Sequence, residues 1–240
     1  MISCLLCTSG VAEEIPKGPR QVVIPDQVNV YYRELILAQN NPKASKGIEE
    51  LLRLGRAASD ALVRPTIPGK SDILESLSEK EYQEVIHKMV GFSVNREETV
   101  FVEPNPSFFI DLAKHSGDQA SIDYFETYKK TNLVYVSQQT DYNGCYLFGT
   151  LSMVDSFSQW KNYSQKYPNR YQKEVLNSLK EIEDDITSGT CACGDKQSAL
   201  REFEAFVKLY PNEKITKRIR ERVEQIHRGE SDIRENCINQ

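Results

Sequence analysis

A chain of 240 residues has room for one large domain or two small ones, and its 30 Lys and Arg against 35 Asp and Glu leave a formal charge of −5. That acidic balance argues against nucleic-acid binding, which needs a basic field to attract phosphates. Apolar residues make 39% of the chain, enough for a packed core, and no apolar run reaches the roughly 18 residues of a membrane-spanning helix.

Residues 1–12, MISCLLCTSGVA, join an apolar stretch at 2–7 to small residues at Gly10 and Ala12, the pattern that a signal peptidase reads before Glu13. No Lys or Arg precedes the run, so this reading takes the true start to lie upstream. Cys4, after Ser3, would carry a lipid anchor on the same condition. The expectation is an exported protein, periplasmic or secreted; the alternative is a cytoplasmic one.

Residues 13–25 hold Pro16, Pro19 and Pro25 and read as an extended lead-in. A helix over 27–40 stops at Pro42. Residues 44–63 carry the stripe Ile48, Leu51, Leu52, Ala58, Ala61 and Leu62. Pro65, Pro68 and Gly69 then divide an N-terminal arm with helices (13–68) from a main helical domain (69–240).

Ser78 and Glu81 form a capping box. The helix behind it is predicted to bury Tyr82, Val85, Ile86, Met89 and Val90 and to end at Gly91. Short strands are predicted over 99–102 and 133–136. Between them, Asn105-Pro106 opens a helix with Phe108, Phe109 and Leu112, and Gly117-Asp118 separates it from one with Ile122, Phe125 and Tyr128. From 150 onward every segment is helical, with stripes in 151–166, 170–188, a helix capped by Asp195, and 213–228 closed by Gly229. The stretch 199–212, ALREFEAFVKLYPN, resembles the second helix of a tetratricopeptide repeat. The helix after it lacks the Trp, Leu-Gly and Tyr of a following repeat, so no function is carried over.

Six cysteines are present. With Cys4 and Cys7 in the leader, Cys145, Cys191, Cys193 and Cys237 remain. One residue separates Cys191 from Cys193, too tight for a bridge between them, so each pairs with Cys145 or Cys237, in either of two ways. Zinc and free thiols are the weaker alternatives, because the spacing lacks paired Cys-x2-4-Cys knuckles. The fold expectation is therefore mainly α: an irregular multi-helix array with at most two or three short strands, its C-terminal half stapled by two disulfides.

No motif for a nucleophilic triad, a phosphate loop or a dinucleotide is present. Glu84–His87 and Glu224–His227 have the spacing of di-metal bundles, but their helical phase turns them away from the apolar stripes, so no metal or cofactor is expected. His115, near a helix end, is explained by the dipole. Lys214–Arg222 reads as a solvated, salt-bridged face. The candidate binding surface is the polar stretch Gln138, Gln139, Thr140, Asp141 and Tyr142, ahead of Cys145. The expectation is an exported binding or accessory protein of inhibitor, immunity or interaction type, with a protein or small molecule as partner. The alternative is a carboxylate-dependent hydrolase with its site near Asp141.

Overall fold

Helices form where the apolar spacing places them. The computed structural model describes residues 23–42, 45–64, 72–97, 100–132, 148–192 and 194–235. The helices are α1 Asp26–Asn40, α2 Ile48–Val63, α3 Ile73–Ser76, α4 Glu79–Lys88, α5 Pro106–Ser116, α6 Gln119–Thr131, α7 Ser152–Lys166, α8 Gln172–Ser188, α9 Lys196–Leu209 and α10 Thr216–Arg228. β1 Phe92–Asn95 pairs antiparallel with β2 Phe101–Pro104, Val94 opposite Val102. β3 Cys191–Ala192 pairs parallel with β4 Arg234–Glu235. The predicted strand near 99–102 is β2; the one at 133–136 lies outside the described residues. β1, β3 and β4 went unanticipated because two to four residues are too few to show a period of two.

Local chemistry sets several helix ends. Ser78 and Glu81 exchange hydrogen bonds as a capping box, Ser78 N donating to Glu81 Oε2 at 2.8 Å. Asn105, Asp118 and Asp195 cap α5, α6 and α9 with their side-chain oxygens. Gly117 and Gly229 close α5 and α10 in the left-handed conformation. α4 departs from expectation. It ends at Lys88, and only Val85 and Met89 of its stripe are fully buried, while Ile86 and Val90 are 39% and 40% exposed. Ten residues docked mainly on α1 bury a narrower stripe than a full amphipathic face. Gly91 belongs to the turn into β1, with φ of +92°.

Two apolar clusters result. The first joins α1 to α6 with Trp160 and Tyr163 of α7 and Tyr171 and Val175 at the start of α8. The second gathers Phe148, Val154 and Phe157 with Ile186, Phe203, Phe206, Ile219, Ile226 and Ile233. Leu179 and Ile182 of α8 pack against both, so α7 and α8 are the shared wall. Gly55 lets β1 dock on α2: a Cβ there would stand 2.3 Å from the Phe92 ring.

Remote side chains cap the ends that local residues cannot. Leu151 precedes α7 in a left-handed conformation and offers no capping oxygen. Glu202 of α9, fully buried, supplies it by accepting the N–H groups of Gly149 (3.0 Å), Leu151 (2.6 Å) and Val154 (3.2 Å). Arg222 does the converse at the far end of α8, donating to the carbonyls of Ile186 (3.0 Å) and Gly189 (2.5 Å) with its guanidinium over the Phe203 ring. This corrects the reading of Lys214–Arg222 as a wholly solvated face, since Arg222 is buried.

Glu202→Gln replaces one of the two acceptor oxygens by an NH2 donor, so that at least one of the three N–H groups loses its acceptor. It should destabilise the protein by about 2–3 kcal/mol. Glu204→Gln, on the exposed face of the same helix, should change it by less than about 0.5 kcal/mol. Urea unfolding of the two variants measures the difference.

Candidate functional site

The two Glu-x-x-His pairs and His115 do not converge. Glu84 and His87 are exposed on α4, with Glu84 paired to Lys88 at 2.6 Å. Glu224 and His227 are exposed on α10, with His227 Nε2 at 3.8 Å from Glu204. Both pairs sit on outer faces, as their phase requires. His115 is exposed in the last turn of α5, its Nδ1 at 2.7 Å from the Asp111 carbonyl. Among the described residues, no group of three His, Cys, Asp or Glu could hold a metal ion, and no helix is long and apolar enough to cross a membrane. Gln138, Gln139, Thr140, Asp141 and Tyr142 lie outside the described residues, as do Cys4, Cys145, Cys193 and Cys237.

The structure instead opens a cavity of about 760 Å³ between α2, β2, α6 and α8. That volume is within the range of small-molecule sites. Tyr124, Tyr128 and Trp160 form its buried aromatic side, and β2 adds Phe101, Val102 and Glu103. α2 contributes Arg53, Arg56 and Asp60. α8 contributes Lys173, Glu174, Asn177, Glu181 and Asp185.

Arg56 is the unusual group. Its guanidinium lies over Tyr128, 5.9 Å from the ring centroid. Its Nε is buried and has no hydrogen-bond partner among the described residues. A donor left so costs about 1–3 kcal/mol. Burial works against the charge, but the Tyr124 and Tyr128 phenols and the Glu103 carboxylate outweigh it and keep Arg56 protonated above its ordinary value. Glu103 in turn accepts from Tyr128 Oη at 3.2 Å. At the mouth, burial raises the Glu181 carboxyl above the usual range; Arg56 opposes that shift, and Asp185 and Glu103 reinforce it.

A second polar cluster fixes the walls. Arg170, just before α8, donates through Nε to Glu49 of α2 at 2.9 Å. Its Nη1 and Nη2 make a two-pronged contact with Asp118, the cap of α6, at 3.2 and 2.8 Å. Glu49 also accepts the Tyr171 N–H at 2.7 Å and so caps α8, whose N-cap Tyr171 is left-handed and has no capping side chain. The Tyr171 hydroxyl reaches Ser121 Oγ at 2.6 Å, and its ring stacks on Tyr124 of the cavity at 3.9 Å between centroids. One guanidinium thereby links three of the helices that border the cavity.

Sequence reasoning missed this site. The signal was present: Arg53, Arg56 and Asp60, and Glu174, Glu181 and Asp185, recur at helical spacing as polar stripes beside the apolar ones. Their meeting across a cavity is a tertiary fact.

The pH response follows from Asp118. Burial would raise its carboxyl, but hydrogen bonds from Arg170 and Ser121 more than offset this and hold it below the ordinary range. A carboxyl depressed by folding contributes stability that is full above its unfolded pKa, about 3.9, and is lost as pH falls through the folded value. The urea midpoint should therefore drop as pH falls below about 4. In Asp118→Asn that stretch should be flatter and the midpoint at pH 7 lower; superimposable profiles would remove Asp118 from the argument. Compared with models of protein families, with curated proteins and with solved structures, the chain matches none.

Proposed function

We propose that the protein is an exported binding protein that holds a small polar ligand in the cavity between α2, β2, α6 and α8. One observation carries the reading: a charged guanidinium, Arg56, is kept beside a cavity of about 760 Å³ with a buried donor unpaired. Native structures pair nearly all buried polar groups, so an exception beside a cavity is where function is sought. The aromatic side supplies contact area, and the charged walls supply orientation.

Export and two disulfides belong to the same reading. β3 and β4 run side by side, with Cys191 opposite Arg234 and Ala192 opposite Glu235. Cys193 follows Ala192 by one residue and Cys237 follows Glu235 by two, so at no more than about 3.6 Å per residue the two are within bridging reach. Cys145 precedes Phe148 by three residues, and Phe148 shares a cluster with Ala192. The favoured pairing is Cys193–Cys237 with Cys145–Cys191. Such bridges persist in oxidising compartments.

A second reading, a carboxylate-dependent hydrolase, is favoured by the raised carboxyl of Glu181 beside Glu103 and Asp185. It differs from the first in predicting that a bound compound is consumed.

Two measurements test these readings. Non-reducing mass spectrometry should find the purified protein lighter by the hydrogens of two disulfides, with a Cys193–Cys237 cross-linked peptide; four free thiols would remove the argument for export. A thermal-shift screen of polar metabolites should give at least one compound that stabilises the wild type, with the gain lost in Arg56→Gln. A gain unchanged by that substitution would place binding elsewhere, and disappearance of the compound on incubation would favour the hydrolase.

A further inference from the structure

The two long walls of the cavity differ in charge balance: α2 sets Arg53 and Arg56 against Asp60, and α8 sets Glu174, Glu181 and Asp185 against Lys173. On α2, Arg53 and Arg56 are three residues apart; on α8, Glu174, Glu181 and Asp185 are seven and four apart, so each set shares one helical face and lines the same space. Arg53 is already engaged by Glu50 of its own helix through two hydrogen bonds of 2.6 Å. Arg56, Glu174 and Glu181 are in no ion pair among the described residues. The cavity therefore keeps an unpaired donor, Arg56 Nε, on one side and the carboxylates of Glu174 and Glu181 on the other, with aromatic surface between them.

A ligand bearing one kind of charge would satisfy one wall only. A lone anion would meet Arg56 but face the carboxylates of α8 and Glu103, and a lone cation would leave Arg56 Nε without an acceptor. A zwitterion answers both. The volume is in the upper part of the range for small-molecule sites, which favours a molecule larger than a single amino acid. Resting on the reading of this cavity as a binding site, we infer that it takes a short peptide with free termini, its carboxylate turned to Arg56 on α2 and its ammonium to Glu174 and Glu181 on α8. Backbone and side chains of the peptide would lie along Tyr128, Trp160 and Phe101.

The experiment uses the full chain in equilibrium dialysis against a mixed tripeptide library, with retained peptides quantified by mass spectrometry. Three forms are compared: free termini, N-acetylated and C-amidated. The free form should be retained, and each blocked form should bind roughly ten- to hundredfold more weakly, the loss of one charge-assisted contact. Glu181→Gln, at an exposed position, should weaken the free form and narrow its advantage over the acetylated one. Arg56→Gln should do the same for the amidated form, and Arg56→Lys, which keeps the charge, should restore part of the binding. Equal retention of blocked and free peptides overturns the inference. So does the absence of any retained peptide; if an Arg56-dependent ligand of another class emerges from the thermal-shift screen, the cavity stands as a binding site and only the peptide assignment falls. Failure of both would sink the two together.

Discussion

The arrangement of this protein depends on one guanidinium between three helices. Arg170 joins Glu49 of α2 to Asp118 at the head of α6 and sits itself at the head of α8. All three border the cavity, with Trp160 of α7 completing its lining. The contact is only partly exposed and two-pronged on Asp118, the geometry in which an ion pair orients elements as well as attracting them. Through Ser121, Tyr171 and Tyr124 it continues into the aromatic side of the cavity. The spacing of the charged walls is thus set from outside the cavity.

A second theme is the capping of helices by distant residues. α7 and α8 begin at Leu151 and Tyr171, neither of which supplies a cap and both of which take left-handed backbone conformations. Glu202 and Glu49 provide the missing acceptors from 51 and 122 residues away. Arg222 closes the other end of α8. A carboxylate at a helix start and a guanidinium at a helix end also match the sign of the helix dipole. The ends of α7 and α8 therefore form only together with their partners, which joins the two apolar clusters more firmly than the packing of Leu179 and Ile182 alone would.

The cavity persists because its walls cannot collapse on each other. Closing it would desolvate Arg56, Glu103, Glu181 and Asp185 together, and ion pairing in a dry interior repays that cost poorly. Packing elsewhere is tight: Leu35, Leu51, Phe109 and Phe125 are almost fully buried. Space is thus retained where charged groups line α2 and α8.

Much of the local structure was legible from residue order alone. The capping box at Ser78, the caps at Asn105, Asp118 and Asp195, the glycine stops at Gly117 and Gly229, and the outward phase of both Glu-x-x-His pairs all follow from interactions spanning three or four residues, which spacing encodes directly. Mainly helical architecture was legible for the same reason. The cavity, the Arg170 contact and the burial of Glu202 and Arg222 were not, because a lone Arg or Glu in a helical stripe looks the same whether it meets water or a partner more than a hundred residues away. Composition and periodicity determined that this chain would build amphipathic helices and where they would stop. Only the tertiary structure decided which of their polar faces would meet, since that depends on how three helices pack and not on the pattern within any one of them.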